Sequence, residues 1–224
     1  MLNKNSTIIA ALVVCGTAAA ALWFAPVLLL PHKVESVTGP AFVQTQKLTN
    51  FQKSILGDLD RQCRTKIWYQ DGYYSGGEPP PKIGVCTDVV VRSYRAAGVD
   101  LQKLLQQDIA QAPGSYSVSR PDVNIDHRRC RNLAVFFKRH GRKLPTERVK
   151  ADWEPGDIVF WDTREDGRPD HIGVIADGTD SDGNPTVVHH WPGTYVTETD
   201  WLYRLPVLYH FRYPASRHGV GRST

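Results

Sequence analysis

The stretch KIGVCTDVVVRSYRAAGVDLQ, residues 82–102, decides how the rest of the chain is read. Val89, Val90, Tyr94 and Ala97 recur at the spacing of one helix face, and Gly98 follows where a left-handed cap belongs. The spacing predicts a helix over Val85–Ala97, with Cys86 extending its apolar side into the first turn. A thiol there has two readings. It packs as a small buried hydrophobe, or the free N–H groups and dipole of the helix N-terminus stabilise its thiolate as a nucleophile. Position alone leaves both open.

Around this helix lie 224 residues, enough for one domain of ordinary size plus appendages. A formal net charge of +4 disfavours a dedicated nucleic-acid binder and suits an acidic partner such as cell-wall peptide carboxylates. No repeat of fixed period and no low-complexity tract interrupts the chain.

The N-terminus differs from the rest. TIIAALVVCGTAAAALWFAPVLLL, residues 7–30, carries no charge and matches a hydrocarbon core at about 1.5 Å per residue. It predicts a transmembrane anchor, with a cleavable signal as the alternative because Ala18 to Ala20 are small. Cleavage there would leave ALWFAPVLLL as an exposed apolar start, which favours the anchor. Residues 1–6 form a short flank, 31–46 a tether, 47–214 the folded domain and 215–224 a frayed tail.

Within the domain, Phe51, Ile55, Leu56 and Leu59 give helical spacing over Thr49–Cys63. The Gly- and Pro-rich run IWYQDGYYSGGEPPPKIG reads as irregular loop. Further helices are expected over Leu101–Ala110 and Leu133–His140. From Asp157 the pattern changes to short Val- and Ile-rich runs: DIVFW, HIGVIA, TVVHH and a last one over Leu205–Tyr213, separated by polar turns. Helices first and an antiparallel sheet second give an α+β layout.

Thiol catalysis needs a base beside the sulfur and a third group to orient that base. His171 opens one expected strand and His189 lies near the end of the next, so antiparallel pairing would bring them together. Each histidine alone reads equally well as structural. His190 follows His189 directly and faces the other way on a strand, so either could be the one at the site. A zinc site from His127, His171 and His189 is a rival chemistry, without HExxH or CxxC spacing to support it.

GVCTDVV with its helix, PGDIVFWD, DHIGVIAD and VVHHWPG, in that order, resemble the NlpC-type cell-wall cysteine peptidases, a papain-like group. GVCTDVVVRSYR, NIDHRRC and YHFRY resemble more closely one uncharacterised bacterial branch, a domain of unknown function, over roughly Thr49 to Tyr213. The resemblance implies a papain-like fold with N-terminal helices on an antiparallel sheet. It implies Cys86 as nucleophile, His171 as general base and His189 as orienting residue, with no cofactor and no metal. Tyr73 matches a tyrosine that helps form the oxyanion site, and Tyr74 is nearly as good a match. Thr87 and Asp88 replace the small residues usual beside the cysteine, so substrate specificity does not transfer.

The expected activity is hydrolysis of an amide bond in peptidoglycan, as endopeptidase or amidase. Acyl transfer by the same fold and a catalytically silent wall-binding module are the alternatives. The partners implied are peptidoglycan stem peptides, and the membrane through residues 7–30, but no nucleic acid. The domain would stand in the periplasm, anchored in the inner membrane or secreted. In NIDHRRC, Arg128 and Arg129 with Asp126 either bind stem carboxylates or pin a loop through their own network. Cys63 and Cys130 are a candidate disulfide in an oxidising compartment, or two free thiols.

Overall fold

The structure, a computed structural model, describes residues 47–148 and 152–215. The expected membrane or signal segment 7–30, the tether and most of the tail lie outside the described residues. Among the described residues no helix is long and apolar enough to cross a membrane.

Local signals set the helix ends. Thr49 and Gln52 cap the first helix, α1 (Asn50–Thr65), reciprocally: the Thr49 hydroxyl accepts the Gln52 N–H, and Gln52 Oε1 accepts the Thr49 N–H. α2 (Cys86–Ala96) begins after Val85, which has no side-chain acceptor. Asp88, one turn in, takes the Val85 N–H at 2.7 Å instead. Gly98 follows the helix at φ 84°, in the left-handed region. Asp100 caps α3 (Leu101–Gln111) by accepting the Lys103 N–H. α4 (Cys130–His140) starts three residues earlier than expected from the sequence, directly after a 3₁₀ turn over Asp126–Arg128.

The loop between α1 and α2 is more ordered than its Gly and Pro content suggests. It contains β1 (Trp68–Tyr69) and β2 (Ile83–Gly84), paired in parallel. Gly77, at φ 80°, touches the 3₁₀ turn so closely that an added Cβ would lie 2.6 Å from His127 Cε1. Arg92 donates to Glu78 and to the carbonyls of Pro79 and Ile83, fixing the far side of this loop to α2.

The second half forms a six-stranded antiparallel sheet from β3 (Arg142–Leu144), β4 (Ile158–Trp161), β5 (His171–Thr179), β6 (Pro185–His189), β7 (Thr197–Thr199) and β8 (Val207–Arg212). Their spatial order is β3-β8-β4-β5-β6-β7. Alternation along the strands sorts two cores. Ile158, Phe160, Ile172, Val174 and Val188 join Val89, Val90 and Tyr94 of α2 in the larger one. Val159, Trp161, Ile175 and Val187 meet Trp153 and Leu202 on the opposite face. Gly173 permits this second face to close: a Cβ there would sit 2.8 Å from Val187 Cγ2 and 2.9 Å from Trp161 Cη2. The expected α+β layout, helices on an antiparallel sheet, is what the structure shows.

Candidate active site

Cys86 is the first residue of α2 and is 7% exposed. It opens onto a cleft of about 270 Å³ lined among others by Tyr69, Arg129, Cys130, Arg131 and Asp170. The neighbour of its sulfur is another sulfur, Cys130 Sγ at 3.7 Å. Among the described residues no hydrogen bond joins Cys86 to an imidazole.

The placement of Cys130 follows from the residues after Cys86. The Thr87 hydroxyl donates to the Arg128 carbonyl at 3.1 Å. Asp88 receives the Arg128 guanidinium through two bonds, Nε to Oδ1 at 2.9 Å and Nη2 to Oδ2 at 3.1 Å. Arg128 also donates to the Gly72 carbonyl at 2.5 Å and lies over the Tyr74 ring. The 3₁₀ turn is thereby clamped to α2, and the chain leaves it with Cys130 facing Cys86. Thr87 and Asp88 thus hold the two helix starts together.

This network also places the other residues expected to touch substrate. Asp126 is fully buried and accepts the Asp122 N–H at 2.7 Å, with Arg129 and Asn132 on its other oxygen. Of the two sequence readings of NIDHRRC, the loop-pinning network describes Asp126 and Arg128. Arg129 reaches both Asp126 and the cleft wall. Tyr73 is 61% exposed, bonded to Asp122 and Asn124, and does not line the cleft. Tyr69 does, and the irregular-loop reading of its neighbourhood concealed it. Burial, together with negative charge at Cys86 and Asp71, pushes the Tyr69 phenol up, so it stays a donor.

His171 and His189 are together. His171 Nε2 lies 2.8 Å from His189 Nδ1, and His189 Nε2 lies 3.0 Å from the Thr199 hydroxyl. Both imidazoles sit on the Trp161 face, with His171 stacked on Trp161 and edge-on to Trp191. The adjoining residues Pro169 and Asp170 line the Cys86 cleft, so the start of β5 connects the pair to it. Burial first, then the charge on its neighbours His189 and His190, pulls His171 well below the usual imidazole range. Burial and His190 pull His189 down to about 4. Both rings are therefore neutral at pH 7, the form in which an imidazole accepts a proton.

His190 turns to the other side of the strand, edge-on to Tyr69 at 5.0 Å between ring centres. It bonds through Nε2 to the Thr194 carbonyl, and its buried Nδ1 has no partner. His127 is held by the Gly77 carbonyl on the 3₁₀ turn, apart from the His171–His189 pair. Among the described residues no group of three His, Cys, Asp or Glu side chains is arranged to hold a metal ion.

Cys63 and Cys130 are not joined: both are free thiols, and the partner of Cys130 is Cys86. The 3₁₀ turn and the early start of α4, neither of which has a side-chain cap to announce it, made that partner invisible in the sequence.

Residues 57–213 match a family model described as a domain of unknown function, DUF1287. The chain belongs to the DUF1287 family. A relative from Escherichia coli K12, the uncharacterized protein YijF, is 39% identical over 191 residues, covering 81% of this chain and 91% of its own. Among solved structures, NlpC2 and NlpC1 of Trichomonas vaginalis are each 17% identical, with TM-scores of 0.46 and 0.44. They cover 75% and 76% of this chain, which spans about half their length, 48% and 46%. What can be said of chemistry in this DUF1287 domain therefore rests on its own side chains.

Proposed function

We propose that this DUF1287 domain is an exported cysteine hydrolase of papain-like type that cleaves an amide bond in peptidoglycan, as endopeptidase or amidase. The observation that carries the reading is the chain of bonds from His171 Nε2 to His189 Nδ1 and from His189 Nε2 to Thr199. Two proton arrangements satisfy it, and the proposal takes the one in which each Nε2–H donates onward and His171 Nδ1 keeps a lone pair. Among the described residues no hydrogen bond engages that Nδ1. It is the base of the proposed mechanism, and His189 holds its ring in place.

In the proposed first step Cys86 gives its proton to His171 Nδ1 around the start of β5, where Pro169 and Asp170 line the cleft, and the sulfur attacks the amide carbon. The carbonyl oxygen becomes an oxyanion. The Cys86 N–H, at the first position of α2, has no acceptor within the helix and is free to bind it. The Tyr69 hydroxyl supplies the second donor from the cleft wall. His171 then protonates the leaving amine, and water releases the acyl group by the same route.

The cleft carries both signs of charge, Arg129 and Arg131 against Asp71 and Asp170. Arg131 is exposed and has no ion pair among the described residues. It suits a peptide carboxylate better than Arg128, whose donors are already taken by Asp88 and Gly72. A stem peptide, with carboxylates and an amine, matches this lining. The proposed route out of the cytoplasm is the apolar segment 7–30.

Digestion of purified peptidoglycan, with the released fragments identified by mass spectrometry, tests the assignment. New amine and carboxyl ends from the wild-type chain, absent with Cys86→Ala, are expected. Equal wall binding by both, without any cleavage, would replace the hydrolase by a silent binding module.

A further inference from the structure

Two thiols face each other across the floor of the cleft. Cys86 and Cys130 each open a helix, their sulfurs lie 3.7 Å apart, and both are free. The distance is not an accident of two mobile side chains. The backbones carrying them are tied one residue after Cys86 by Thr87 to the Arg128 carbonyl, and two residues after it by the buried Asp88–Arg128 pair. A disulfide needs its sulfurs about 2.04 Å apart, so the bond requires them to close by only about 1.7 Å. The bond to Cys86 and then burial push the Cys130 thiol well up, which keeps its proton on Cys130.

We propose that Cys86 and Cys130 form a reversible disulfide that withdraws the nucleophile, so that the site works only after reduction. The consequence for activity rests on the hydrolase reading above; the bond itself does not. The co-reactant is a small disulfide, RSSR. The Cys86 thiolate attacks one of its sulfurs and expels one RS⁻, leaving Cys86 in a mixed disulfide. Cys130 loses its proton, attacks Cys86 Sγ and expels the second RS⁻. Two protein thiols are oxidised and RSSR is reduced to two RSH, which take up the two protons from Cys86 and Cys130. A dithiol reverses both steps. Cys63 lies outside this exchange. Burial, with Glu198 and Asp60 beside it, pushes its thiol up to about 11, so little of it is thiolate at neutral pH.

The test equilibrates the reduced full chain, in the membrane or detergent, with glutathione buffers of rising oxidised fraction. Samples are acid-quenched, alkylated and digested without reduction. The expected product is a Cys86–Cys130 linked peptide, with Cys63 still free to be alkylated once denatured. Loss of peptidoglycan cleavage should follow the same curve and be reversed by dithiothreitol. In Cys130→Ser the reaction should stop at a glutathione adduct on Cys86. A wild-type chain that also stops at this adduct, or that joins Cys130 to Cys63, overturns the proposal. If the linked peptide forms but neither redox state cleaves peptidoglycan, the bond stands and the hydrolase reading falls. If the chain cleaves equally well with the two cysteines joined, the switch falls and Cys86 is not the nucleophile.

Discussion

Arg128 closes on Asp88 with both side chains almost wholly shielded from water, Nε 2.9 Å from Oδ1 and Nη2 3.1 Å from Oδ2. The same carboxylate caps α2 through the Val85 N–H. One acidic residue therefore fixes the start of the helix that presents Cys86 and the turn that presents Cys130. Its importance lies less in the attraction between the two charges than in the cost of leaving one of them alone.

Arg128→Ala should therefore destabilise the domain by about 3–5 kcal/mol, the usual penalty for stranding one partner of a buried pair. Urea unfolding measures it. The double variant Asp88→Asn/Arg128→Met should lose clearly less than the two single variants added together, since it strands no charge. Additive losses would mean that the two residues act separately, contrary to their geometry.

The histidines set an acid limit to stability. His189 is held at about 4 against an ordinary value near 6.5. Its neutral form is favoured in the folded state, so the unfolded chain takes up the proton first as pH falls. Stability from this group is complete above about pH 6.5, declines through the interval and is lost below about 4, amounting to roughly 3 kcal/mol. His171 is lowered in the same direction. Unfolding midpoints between pH 7 and 4 should fall steeply for the wild type and less steeply for His189→Gln. Identical slopes would show that His189 is not a buried neutral group.

Much of this arrangement was legible in the sequence because it rests on local patterns. The period of Val89, Val90 and Tyr94 located α2, and the Val- and Ile-rich runs located four strands of the sheet. Antiparallel neighbours beginning and ending in histidine brought His171 and His189 together, as the register Gly173↔His189 now specifies. What escaped had no local signal. β1, β2, β3 and β7 are two or three residues long, too short for a period to show. Cys130 meets Cys86 only because a 3₁₀ turn, clamped by residues 40 positions away, aims it there. Tyr69 was hidden by the glycines and prolines that follow it, which mark a loop but not the strand pair that closes it.

Reactivity should separate the thiols. Cys63 is half-buried with its thiol pushed up to about 11 by burial and by Glu198 and Asp60. Cys86 opens onto the cleft at a helix N-terminus. Iodoacetamide applied to the reduced native chain at pH 7 should label Cys86 well before Cys63, because the thiolate is the reacting form. Peptide mapping over a time course reads the order. Equal rates at the two positions would remove the distinction that the helix start and the cleft are argued to make.

Tyr69 and Tyr73 offer the sharpest test of the cleft, since the sequence pointed to one and the structure to the other. Tyr69 lines the cleft beside Cys86, whereas Tyr73 is exposed and spends its hydroxyl on Asp122 and Asn124. If the Tyr69 hydroxyl binds the oxyanion, it acts on charge that develops only in the transition state. Tyr69→Phe should then lower kcat by about 10²–10³-fold with little change in KM. Tyr73→Phe should leave both within about twofold while loosening the loop that Asp122 and Asn124 anchor, since an exposed hydrogen bond adds only about 0.5–1.5 kcal/mol. The raised phenol of Tyr69 adds a second signature. It remains protonated far into the alkaline range, so no alkaline loss of activity should trace to it. Peptidoglycan digestion rates for the two variants, with substrate concentration and pH varied, decide the matter. A large kcat loss in Tyr73→Phe, with Tyr69→Phe at the wild-type rate, would return the oxyanion site to the tyrosine that the sequence first suggested.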